Sequence, residues 1–99
     1  SEEAVIAEIN RRAEEAGDGL PVGIIATDET IARYPKGIVK SIGSRNEEES
    51  IAHHLYEVLR QFDDCQVSTI YSEAFYTPRM GQAIMNRLLK AAGHKVIHV

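Results

Sequence analysis

The sequence predicts a three-layer α/β domain built on a mostly parallel sheet of about four strands. Three observations predict it. Amphipathic helical stretches alternate with short apolar ones along the whole chain. Two strand–helix–strand runs follow one another, and such crossovers join parallel strands with right-handed connections. The first apolar stretch, VGIIAT, is continuously apolar, as a strand covered on both faces must be.

The elements follow in order. Glu2 to Ala16 reads as a helix, because Val5, Ile9, Ala13 and Ala16 form one stripe with Ile6 beside it. Glu2 and Glu3 suit the positive end of its dipole. Gly17 ends it, and Asp18-Gly19 continues the turn. Val22 to Thr27 is the first strand. In residues 28–37, Asp28 is placed to cap one helical turn through Ile31, Ala32 and Arg33, and Tyr34-Pro35-Lys36-Gly37 reads as a turn. The pattern leaves the direction of the next strand open.

Ile38 to Ile42 is the second strand, and Gly43-Ser44-Arg45 the turn after it. Asn46 is expected as the N-cap of a helix, with Glu49 completing a capping box. That helix is expected to run to about Phe62, burying Ile51, Leu55, Val58, Leu59 and Phe62, with Asp63-Asp64 breaking it. Val67 to Tyr71 is the third strand and Ser72 to Pro78 a loop. A third helix from about Arg79 to Ala92 carries Met80, Ile84, Leu88 and Ala91 on one face. Gly93 ends it, and His94 to Val99 is the last strand. The whole is a single domain, 1–99, of Rossmann or flavodoxin type.

Composition narrows the function classes. Apolar residues make up 43% of the 99, which suits a packed domain and not a disordered one. The formal net charge is −4, which argues against direct nucleic-acid binding or an anionic-membrane surface, since both need excess Lys and Arg. No apolar run approaches the roughly 20 residues of a membrane span. Cys65 has no second cysteine to pair with, which fits a reducing cytoplasm. The chain opens on Ser1 and not on Met, which is read as an excised domain or a processed terminus.

In such sheets ligands bind beyond the carboxyl ends of the strands. Three loops gather there: Thr27-Asp28-Glu29, Gly43-Ser44-Arg45-Asn46, and Ser72-Glu73 with Phe75 and Tyr76. Ser44, Arg45, Asn46 and Glu73 are therefore the candidate ligand-binding residues. SIGSRN invites a phosphate, with its glycine, two hydroxyls, an arginine and a helix start. Glu47, Glu48 and Glu49 argue against it, because three carboxylates already use the dipole and repel an anion. A dinucleotide or P-loop fingerprint would need more glycines at fixed spacing. His53-His54 are adjacent on a helix and do not share the i, i+4 spacing of a chelating pair. His94 and His98 stand about 13 Å apart along a strand, too far for one metal. No metal site and no catalytic residue is read from the chain. Phe75, Tyr76 and Arg79 form a candidate contact surface, since aromatics and arginine are enriched at interface centres.

The blocks SIGSRN, IAHHLYEVLRQFD, STIYSEAF and GQAIMNRLLKAAG resemble, in order, the C-terminal domain of two-domain threonylcarbamoyl-AMP synthases. These are the larger members of the YrdC-related family. LYEVLRQFD (55–63) and GQAIMNRLLKAA (81–92) carry most of the likeness, which covers 22–93. The resemblance implies a Rossmann-like accessory domain. It implies a parent enzyme that makes threonylcarbamoyl-AMP from ATP, L-threonine and bicarbonate for a tRNA adenosine modification. The chemistry, with ATP and Mg, would belong to a YrdC-like catalytic domain outside this chain, and no cofactor is expected in this domain. The expected partner is that catalytic domain of the same polypeptide, on which this one would pack, in the cytoplasm. Two departures stand out. The Pro-rich, Tyr-containing linker that precedes the domain in the family is missing, and Glu47-Glu48 stand where an Asp-Pro helix start is common. The alternative reading is an autonomous small-ligand or nucleotide-binding module using the strand-end crevice.

Overall fold

A computed structural model of the chain describes residues 2–16, 22–65, 67, 69–73, 81–90 and 95–96. Helix α1 (Glu2–Ala16) is followed by β1 (Val22–Ala26), a single 3-10 turn (Ile31–Arg33) and β2 (Ile38–Ser41). Then come α2 (Glu48–Cys65), β3 (Thr69–Ser72), α3 (Gly81–Lys90) and β4 (Lys95–Val96). The sheet order is β2-β1-β3-β4, and every neighbouring pair is parallel. This is the α/β, Rossmann-like architecture that the alternation predicts, and it makes the second strand parallel to the first.

β1 is central and its side chains divide the core in two. Ile25 joins Ile42, Ile70 and the α2 stripe of Ile51, Leu55, Val58, Leu59 and Phe62. Val22, Ile24 and Ala26 face the other way, against Val5, Ile6, Ile9 and Ala13 of α1 and the rings of Tyr34 and Tyr71. All five β1 residues are buried, which is why the strand reads as an unbroken apolar run. The five α2 residues expected in its stripe are the five that are buried. Gly23 lets α2 sit close: a Cβ there would lie 2.8 Å from the Phe62 ring.

Several boundaries differ from expectation. α2 starts at Glu48, and the carbonyl of Glu47 accepts the first helical bond, from Ile51 N–H at 3.0 Å. Asn46 is thus one residue too early to cap it. The reason lies in the preceding turn, where Glu47 N–H donates to Ser44 O at 3.0 Å and holds 44–47 out of the helix. At its other end α2 passes through Asp63-Asp64 to Cys65, since two exposed carboxylates do not interrupt backbone pairing. β3 begins at Thr69 and reaches Ser72, so Val67 lies before it and packs at the margin of the α2 core. The Gly17–Gly19 turn, the start of the third helix at Arg79 and Met80, Ala91, Gly93 and both His94 and His98 lie outside the described residues. So do the side chains of Ile84 and Leu88. Among the described residues, no helix is long and apolar enough to cross a membrane.

Candidate functional site: the strand-end polar corner

Parallel strands bring their carboxyl ends to one edge, so the loops after β1, β2 and β3 must meet. They meet at Glu73. This residue directly follows β3, its N–H donating to Ile25 O on β1 at 3.3 Å, and its side chain is 1% exposed. A buried carboxylate is costly unless its oxygens accept hydrogen bonds and its charge is balanced. Both conditions are met. Oε2 accepts from Thr30 Oγ1 at 2.7 Å and from the Tyr34 hydroxyl at 2.6 Å. Oε1 accepts from Arg45 Nη2 at 2.6 Å, which is also an ion pair.

Proton counting orders the hydroxyls. Thr30 has one hydroxyl proton, and the short contact to Glu73 takes it. Its oxygen then accepts from Thr27 N–H at 3.2 Å. The Tyr34 phenol sits in the α1-side core, and its ring is buried. Burial first, and the hydrogen bond to Glu73 second, push its pKa above the usual tyrosine value. It is therefore a fixed donor.

A second carboxylate works from outside. Glu29 Oε1 accepts Arg45 N–H and Oε2 accepts the Ser44 hydroxyl, both at 2.8 Å. These bonds hold its carboxyl below the usual range, with the Arg45 backbone bond the larger cause. Asp28 completes the join: its N–H donates to Gly43 O at 2.9 Å and its Oδ1 accepts from Ser41 Oγ at 2.6 Å. Gly43 has φ +107, and a Cβ there would also press on Ser50 Oγ at 3.1 Å, so the turn requires glycine. The anion-seeking character of SIGSRN is thus met by the chain's own Glu29.

Of the residues singled out in the sequence, Ser44, Arg45 and Glu73 come together. Asn46 stays exposed on the turn, its N–H donating to Ser44 Oγ at 3.3 Å. An open depression beside it is lined by Asn46, Glu47, Glu48, Glu49 and Ser50, an acidic surface that disfavours phosphate. Phe75, Tyr76 and Arg79 lie outside the described residues. His53 and His54 are exposed, their rings edge-to-face, and the described residues hold no group of three metal-ligating side chains. Thr30 and Tyr34 were not singled out. The available signal was the strand-end rule, which places the segment after β1 at this edge.

Among the described residues, the corner's outer hydroxyls donate to its own carboxylates, Ser44 to Glu29 and Ser41 to Asp28. Its acids and hydroxyls are spent on one another, which makes it a clasp joining three loops.

A family model described as threonylcarbamoyl-AMP synthase, C-terminal domain, matches residues 1–93. A threonylcarbamoyl-AMP synthase of Bacillus subtilis (strain 168) is 46% identical over 79 residues, which is 80% of this chain and 23% of that protein. A threonylcarbamoyl-AMP synthase of Pyrococcus abyssi is 35% identical over 82 residues, 83% of this chain and 22% of that protein. A solved structure of P. abyssi Sua5, carrying two alanine substitutions, superposes with a TM-score of 0.77 at 31% identity. It covers 94% of this chain, which covers 27% of it. The chain spans about a quarter of the length of these relatives.

Proposed function

Because the chain belongs to the family of threonylcarbamoyl-AMP synthase C-terminal domains, we propose that it is the accessory, non-catalytic domain of such an enzyme. The parent enzyme would be a cytoplasmic nucleotidyltransferase that forms threonylcarbamoyl-AMP from ATP, L-threonine and bicarbonate for tRNA adenosine modification. ATP and Mg would be held by its YrdC-like catalytic domain. This domain, a single unit over 1–99, would pack on that catalytic domain and modulate access to its site.

The observation that carries the reading is the family match over residues 1–93. The chemistry of the strand-end corner supports the non-catalytic part. Glu73, Arg45, Thr30 and Tyr34 are committed to one another, and Glu29 to Ser44 and Arg45.

The test uses the B. subtilis relative. Its C-terminal matched region is removed, and the present chain is fused in that place. Threonylcarbamoyl-AMP formation should fall on removal and recover in the fusion, while the 99-residue chain alone forms none. A truncated enzyme as active as the intact one would overturn the modulating role. Product formed by the isolated chain would overturn the non-catalytic one.

A further inference from the structure

We propose that the outer face of α2 pairs with the same face of a second copy of the chain, antiparallel and about a two-fold axis. The inference does not depend on the domain's place in a larger enzyme.

The helix carries two seams. One is the apolar stripe buried against the sheet. At about 100° per residue, His53, Glu57, Arg60 and Asp64 fall on the opposite side, within about 60° of one another. All four are exposed, and their spacing of four, three and four residues is that of a helix–helix seam. Among the described residues, none of the four is in an ion pair. Glu57 accepts a long bond from Gln61 Nε2, at 3.4 Å. Tyr56 and Gln61 flank the row, and the six side chains line one open groove of about 480 Å³.

The order of the charges identifies the occupant. In chain direction the seam reads His, Glu, Arg, Asp. Its spacing is the same from either end, so a second α2 turned end for end presents Asp, Arg, Glu, His at the same levels. Glu57 then meets Arg60 of the second copy, Arg60 meets its Glu57, and His53 and Asp64 meet at both ends. A two-fold contact has to be self-complementary in this way. A parallel copy would instead set Glu57, Arg60 and Asp64 each against its own like charge. Tyr56 supplies the apolar part. It is 55% exposed, and the Arg87 guanidinium of α3 stands 4.8 Å from its ring centroid. That contact restrains the ring before association, which lowers the cost of ordering it. The two-fold axis brings both Tyr56 rings to one side of the seam. The seam is short, about 16 Å over three turns, and exposed charge pairs each add little. The dimer is therefore weak, with a dissociation constant on the order of 100 µM at low salt.

Sedimentation equilibrium between about 10 µM and about 1 mM brackets that value and tests the pairing. The mass should rise toward that of two copies, and sodium chloride at about 0.5 M should weaken the rise. Arg60→Glu and Glu57→Arg should each raise the dissociation constant at least about tenfold, because a two-fold contact repeats every clash. Both side chains are exposed, so the fold is kept. An equimolar mixture of these two variants should associate again. The double variant Glu57→Arg/Arg60→Glu should do so within about threefold of the unsubstituted chain. A nitroxide on Cys65, the one cysteine and an exposed one, reads the direction. Antiparallel pairing sets the two Cys65 backbones about 20 Å apart along the axis, and parallel pairing sets them within about 10 Å. A chain that stays monomeric over that range would leave the seam to water or to another protein and overturn the proposal. So would single variants that still associate, a charge swap that restores nothing, or the short label distance.

Discussion

The outer face of α1 and the strand-end corner use the same residue types to opposite effect. On α1, Glu8 receives Arg11 and Arg12, Arg11 also reaches Glu15 at 2.7 Å, and Glu3 takes Arg33 from the 3-10 turn at 2.7 Å. These side chains are about a third to nearly three-quarters exposed. Water and salt already satisfy such groups, so pairing adds little. In the corner a single carboxylate, Glu73, is out of water and holds three loops through three short bonds. The helix face has more ion pairs, and the corner has the one that matters. Burial decides this, because it sets what a group loses when its partner goes.

The largest effect that separates the two regions is expected from Glu73→Ala. It removes the buried counter-charge of Arg45 and leaves two buried hydroxyls without their acceptor. Breaking a buried pair costs about 3–5 kcal/mol. Because the Arg45 side chain is 31% exposed, a loss near the lower bound, about 3 kcal/mol, is expected in urea unfolding. A loss no larger than that of a helix-face pair would erase the distinction.

Tyr34→Phe comes next. It keeps the ring in the α1-side core and removes one donor to a charged acceptor, a change worth about 2 kcal/mol. The same phenol sets the response to alkali. Its folded-state pKa is raised, so the proton stays on in the native state and leaves in the unfolded one. Its contribution is therefore fully present below about pH 10, the ordinary tyrosine value, and is lost as pH rises beyond it. In a tyrosinate absorbance titration, Tyr34 should ionise late, and Tyr34→Phe should remove that late step. A late step that persists in the variant would assign it to another ring. The helix face fails in the opposite direction. Glu8 is held down to about 2, chiefly by Arg11 and then Arg12. Its pairing is complete above the ordinary carboxylate range and lost as pH falls toward that value.

How far each region was legible follows from the kind of information it uses. The α2 stripe is periodic, so all five of its buried residues could be read from spacing. The continuous run of β1 announced a strand covered twice. Periodicity says nothing of the clasp, whose partners Thr30, Tyr34, Arg45 and Glu73 are separated by as many as 43 positions and joined by side chains. Only the topology brings them together. Ser44, Arg45 and Glu73 could be picked out because the strand-end rule names an edge. Tyr34 was hidden in a segment read as a turn. The start of α2 is not legible in the sequence, because Asn46 has good capping chemistry while the backbone bond from Glu47 N–H to Ser44 O delays the helix.

The smallest effect is expected from Glu8→Ala, and it is the sharpest check on the comparison. The substitution deletes a carboxylate that receives two arginines, more partners than any other acid on that face. Counting bonds would make it the most damaging change on α1. Three facts oppose that. The arginines it releases remain able to reach water, Arg11 keeps Glu15, and alanine is the better helix former. The thermal midpoint should move by no more than about 2 °C at physiological salt. Raising the salt should shrink the difference between the two proteins, because screening already does in both what the substitution does in one. A drop as large as that of Tyr34→Phe would mean that the helix-face pairs act as a network. Exposure would then have ceased to predict what an ion pair contributes in this fold.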